Sequence, residues 1–127
     1  MPYKVYTAES QGNGTRNHIA IFVETKSDGK GRMFHVTGST MTGMTYEARD
    51  NDKPTDSLTY IEGSLKLIGS VKESDMFRLE AACEAVEVPG AQWASLSRRK
   101  AYSKPLRQCT EWVQDVVAKL LADEIVV

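Results

Sequence analysis

Cys109, His18 and His35 are the residues here whose types and placement offer a chemistry. A thiol that attacks a carbonyl must lose its proton to a base, and that base usually needs a third group to orient it. The chain holds two cysteines and two histidines, so the choice is narrow. Trp112, Val113, Val116, Val117, Leu120 and Leu121 recur at three- and four-residue spacings, which predicts a core-packed helix over 107–123. Pro105 discourages an earlier start, and Cys109 then falls on the inward face of the first turn. Thiols at helix N-termini are the ones poised to ionise. A small core residue is the plainer reading, because free cysteine is among the most buried side chains.

Both histidines belong to one predicted hairpin. His18 to Thr25 is a nearly continuous apolar run rich in β-branched residues, which reads as a central strand. Asp28-Gly29 supplies turn chemistry within 26–31, and Arg32 to Thr37 follows as the return strand. In an antiparallel pair the start of one strand lies beside the end of the other, so His18 and His35 emerge together. A turn centred on 27–30 makes them near cross-strand neighbours, to within a residue or two of register. The ordinary alternatives are a solvent-facing strand-end residue for His18 and a partly buried, backbone-bonded residue for His35.

The remaining elements complete an α+β pattern. Tyr3 to Ala8 alternates as a strand. Gly43 to Arg49 and Leu58 to Ile68 read as a further strand pair around the polar loop 50–56. Gly38, Gly43, Gly63 and Gly69 interrupt these strands and point to bulges and a curved sheet. Residues 74–86 change period, with Met76, Leu79, Ala82, Cys83 and Val86 on one face and Ser74 as the N-cap. Cys83 sits mid-helix on that face and reads as structural. From 90 to 104 no periodicity is visible, and a loop of that length is often a lid or binding segment. The Gly12-Asn-Gly14 loop leads into a strand, so it lacks the helix N-terminus a phosphate loop requires.

The 127 residues fit one domain, 1–127, large enough for a core without disulfides or metals. Hydrophobic content of 41% and charged content of 26% are those of an ordinary globular protein. The formal charge of -1 conceals a basic cluster, Arg98, Arg99, Lys100, Lys104 and Arg107, just ahead of Cys109. No signal peptide is read after Met1, and no stretch is long enough to span a bilayer. Two cysteines without disulfide or zinc spacing suggest a reducing, cytoplasmic setting.

The segments His18-Ile-Ala-Ile-Phe-Val, Met33-Phe-His35-Val and Gln108-Cys109-Thr-Glu-Trp-Val113 resemble the circularly permuted papain-like superfamily. That superfamily includes lecithin retinol acyltransferase-like enzymes, permuted NlpC-type peptidases and PPPDE peptidases, in which the histidine strand precedes the cysteine helix. The same order holds here. The likeness implies a curved antiparallel sheet with the Cys109 helix packed on it, Cys109 as nucleophile, His18 as general base and then acid, and His35 orienting His18. The acyltransferase branch has Asn before the cysteine and Glu-His-Phe after it, where this chain has Gln108 and Thr110-Glu111-Trp112. That difference bears on the substrate more than on the thiol chemistry. The Cys-to-Trp-Val segment is also similar to small uncharacterised fungal proteins.

Backbone N–H groups at the helix start, Cys109 among them, would hold an oxyanion, with Gln108 assisting. Trp93, Tyr102, Lys104 and Arg107 are candidate contacts for a small-molecule, peptide or lipid substrate. The expected reaction is hydrolysis or acyl transfer at an amide, peptide or ester carbonyl, with no cofactor and no metal. The alternative is a catalytically silent papain-like fold that binds a protein or an anionic ligand. Nucleic-acid binding through the basic segment is a third reading, against which a solvated loop is the commoner explanation.

Overall fold

Two hydrophobic periods in the chain become two layers. In the computed structural model, which describes residues 2–11, 18–39, 43–88, 93–95, 98–99 and 109–127, the period-two runs pair into one sheet. Its strands are β1 (Tyr3–Ser10), β2 (His18–Glu24), β3 (Gly31–Ser39), β4 (Gly43–Asp52) and β5 (Lys66–Val71). They lie in the order β4-β3-β2-β1-β5, and every pair is antiparallel. The helical runs form α1 (Met76–Ala85) and α2 (Cys109–Ala122). The fold is therefore α+β with an open antiparallel sheet.

Side-chain alternation divides the sheet into two unlike faces. Val5, Ile21, Val23, Phe34, Val36 and Val71 point into a core shared with Leu79 and Cys83 of α1 and Trp112, Val113, Val116 and Leu120 of α2. Complete burial of such side chains contributes roughly 1.5–3 kcal/mol each. Ala8, Ala20, Phe22 and His35 are also buried, yet alternation places them on the other face. There the segment between β4 and β5 crosses the sheet. Its Pro54 is buried, its Tyr60 bridges to Ser10, and the Gln11 N–H donates to the Thr59 carbonyl at 2.9 Å.

The direction of α2 follows from its two ends. Trp112 packs against Tyr46, with ring centroids 5.8 Å apart, and Tyr46 is the strand partner of Val36. Beyond the helix C-terminus, Val127 exchanges backbone hydrogen bonds with Ser70, whose partner is Lys4, itself opposite Glu24. The helix thus runs from the His18 end of β2 toward its Glu24 end. Fourteen helical residues span about 21 Å, close to the length of β2.

Several expectations are corrected. Leu58 to Ile68 is not a strand paired with 43–49: Leu58 is fully exposed, β4 pairs with β3, and β5 begins at Lys66 and pairs with β1. Pro54 cannot donate to a ladder, and the short 3-10 turn Pro54–Asp56 redirects the chain across the sheet. Ser74 is not the cap of α1, because a 3-10 turn over Glu73–Asp75 precedes the helix and Asp75 takes the cap position without a side-chain bond. The aperiodic 90–104 stretch contains a small ribbon, β6 (Trp93–Ser95) with β7 (Arg98–Arg99).

Glycine matters most where strands must close tightly. Gly38 has φ of +128°, and a Cβ there would meet the Gly43 carbonyl oxygen at 2.5 Å, so β3 requires glycine where it pairs with Met44 of β4. Among the described residues of the sheet, register shifts fall at Val5/Tyr6, opposite Leu67 to Gly69, and at Gly31/Met33 in the β3–β4 ladder. Arg32 ties the layers, donating from Nη1 to Glu80 of α1 at 2.8 Å and from Nε to Asp50 of β4 at 2.7 Å. Trp112 is fully buried between α2 and β4. Trp112→Ala is expected to destabilise the fold by about 3–5 kcal/mol, measured as a lowered midpoint in urea unfolding.

Candidate active site

His18 is the first residue of β2, and His35 lies within β3. The register Ile21↔Phe34 sets the two histidines on one face as diagonal neighbours instead of direct partners. That offset lets the rings meet edge to face, 5.0 Å apart with an interplanar angle of 70°. His18 Nε2 and His35 Nδ1 are 2.8 Å apart, a hydrogen bond. The chain of contacts then continues into β4. His35 Nε2 lies 2.8 Å from Glu47 Oε1, and Arg49 Nε donates to the same oxygen at 2.7 Å.

Strand geometry accounts for each partner. Glu47 sits directly opposite His35 in the β3–β4 ladder, and Arg49 is two residues along on the same face. His35 is buried, with 4% of its surface exposed, whereas Glu47 and Arg49 are exposed at the edge strand. The hydrogen bond from His35, followed by that from Arg49, holds the Glu47 carboxyl below the usual carboxylate range. Burial, then the electrostatic influence of the neighbouring His35 and Arg49, pushes His18 below the ordinary histidine value of 6.5. His18 is therefore mainly neutral near pH 7, the state in which an imidazole accepts a proton.

His18 and His35 open onto a pocket of about 330 Å³. Ala8, Ala20 and Met33 line its sheet side, Thr59 and Tyr60 come from the crossing segment, and Arg49 also borders it. Small floor residues leave the space open. Among the described residues, no group of three or more His, Cys, Asp or Glu is arranged to hold a metal ion.

Cys109 is the first residue of α2 and is 5% exposed, packed in the helix-side core with Val36 and Trp112. One turn ahead of Trp112, it stands at the same end of the sheet as His18. Its face differs: alternation sends His18 and His35 to the pocket side, and Cys109 belongs to the core side. The structure thus unites the two histidines and brings Cys109 to their end of the sheet. Cys83 is fully buried, and burial, with the charges of Glu80 and Glu84, pushes its thiol up to about 12, as suits a structural residue. Arg107, Gln108, Tyr102 and Lys104 lie outside the described residues, as do the Gly12-Asn-Gly14 loop and Lys100. Trp93 begins β6, and its side chain, the proposed substrate contact, likewise lies outside them.

Glu47 and Arg49 were not singled out from sequence. Their signal was the alternation Thr45-Tyr46-Glu47-Ala48-Arg49, which puts an acid and a base on one strand face. That face meets His35 only because β4 pairs with β3 and not with the 58–68 segment.

An antiparallel sheet carrying two helices on one face, with a His–His–Glu chain on the other, defines an α+β protein with a hydrogen-bonded imidazole relay. By sequence the chain belongs to the Family of unknown function (DUF6540), whose model matches residues 5–127. Neither the curated proteins nor the solved structures contain a match to it. Among the described residues, no helix is long and apolar enough to cross a membrane.

The lowered proton affinity of His18 has a consequence for stability. Between its folded pKa and 6.5 the unfolded chain binds more protons than the folded one, so stability rises with pH across that window and falls toward acid. Urea midpoints measured between about pH 5 and 7 should show a smaller acid loss in His18→Gln than in the wild type.

Proposed function

We propose that this protein is a thiol-dependent hydrolase or acyltransferase of permuted papain-like fold, acting on an amide, peptide or ester carbonyl. Cys109 is the nucleophile, His18 the general base and later acid, and His35 the residue that orients His18. The observation that carries this reading is the 2.8 Å bond between His18 Nε2 and His35 Nδ1, at the end of the sheet where α2 begins with Cys109. The bond occupies one ring nitrogen with the orienting partner and leaves Nδ1 for proton transfer. The order of strand before helix also agrees with the permuted arrangement.

In the proposed reaction Cys109 Sγ forms a bond to the carbonyl carbon as its proton passes to His18. Backbone N–H groups at the start of α2 stabilise the oxyanion. His18 then returns the proton to the leaving amine or alcohol, and an acyl-thioester remains. Water or a second acceptor, deprotonated by His18, resolves it. The basic segment 98–107, which precedes Cys109 in the chain, favours substrates with an acidic group nearby.

A second reading is favoured by a specific observation: Cys109 is nearly buried on the helix side, while the histidine pocket opens on the other face. Under it the fold is a binding module without thiol chemistry. Iodoacetamide labelling near about pH 6, followed by peptide mapping, separates the two. The enzyme reading expects Cys109 to react about tenfold or more faster than Cys83, and His18→Ala to slow it by a similar factor. Equal, slow labelling of both cysteines would overturn the enzyme reading and favour the binding module.

A further inference from the structure

We infer that Glu47 is a positioning residue that decides, through His35, which ring nitrogen of His18 carries the proton. The catalytic meaning of this assignment rests on the proposed role of His18 as base, but the assignment itself rests on hydrogen-bond geometry.

An ionised carboxylate only accepts hydrogen bonds. Glu47 Oε1 receives the Arg49 Nε–H at 2.7 Å and faces His35 Nε2 at 2.8 Å, so Nε2 is the protonated nitrogen of His35. A neutral imidazole has one N–H, which makes His35 Nδ1 an acceptor. His18 Nε2 stands 2.8 Å from that acceptor and must donate to it. His18 Nδ1 is left with the lone pair. With both rings neutral, the opposite assignment would set lone pair against lone pair at one link or the other.

The same wiring suits both states of His18. When Nδ1 takes a proton, Nε2–H still donates to His35, and no bond in the relay has to break. Glu47 then lies at the far end as a negative charge that stabilises the imidazolium. Arg49 keeps that charge in place by pinning the shared oxygen. Glu47 thus plays, at one imidazole's remove, the part a carboxylate plays when it orients a catalytic histidine directly.

The test is long-range 1H–15N correlation on uniformly labelled protein at about pH 7.5, which reads the tautomer of each ring. Both histidines should carry their proton on Nε2 in the wild type. Glu47→Ala should leave His35 and His18 as tautomer mixtures and slow iodoacetamide labelling of Cys109 by about tenfold or more. Glu47→Gln, which keeps a carbonyl acceptor, should restore the wild-type tautomers. Glu47 is exposed, and equal melting temperatures would show that the variants fold alike. Unchanged tautomers in Glu47→Ala would overturn the inference. If the tautomers shift while His18→Ala leaves Cys109 labelling untouched, the positioning role stands and the thiol reading falls.

Discussion

Strand alternation in β2 and β3 is the constraint around which this molecule is arranged. Because successive side chains point to opposite faces, a strand can present a dry surface to helices and a polar one elsewhere. Ile21, Val23, Phe34 and Val36 take the first task, and His18 and His35 the second. A one-residue slip would exchange them, driving imidazoles into the core and four large apolar side chains into the pocket. The buried apolar face therefore holds the histidines in register.

The helix layer reinforces that choice. α2 buries Trp112, Val113, Val116 and Leu120 against the strands, and the C-terminal residues continue the contact with Ile125 and Val126 before Val127 pairs with Ser70. This packing accommodates a polar cost, since, among the described residues, Trp112 Nε1 and Tyr46 Oη are buried without hydrogen-bond partners. Each such orphan costs about 1–3 kcal/mol, comparable to the gain from one buried aliphatic side chain. Helix and strand apolar surfaces together outweigh it. The outcome is a helix whose first residue, Cys109, comes to the end of the sheet where β2 starts.

On the pocket side the order is electrostatic. A row of donors and acceptors runs across three adjacent strands, from His18 in β2 through His35 in β3 to Glu47 and Arg49 in β4. The inner part is shielded, so its hydrogen bonds carry more weight than those of exposed pairs. The outer part is solvated, which lets Glu47 stay ionised without a large desolvation penalty. A buried imidazole is thereby coupled to a surface charge.

Local pattern was enough for the class of fold, the β2–β3 hairpin, the closing helix and the meeting of the two histidines. Each of these follows from short-range periodicity: apolar spacing, the Asp28-Gly29 turn, and antiparallel geometry within about twenty residues. What local pattern left open was long-range pairing. Nothing in Gly43 to Asp52 announces that it returns beside β3, or that Lys66 to Val71 crosses over to join β1, because alternation describes a strand's faces and not its neighbours. Glu47 became a partner of His35 through that pairing alone. The side of the sheet on which Cys109 rests was likewise set by how α2 buries its stripe, since a helical period specifies which residues turn inward but not which face of a sheet receives them.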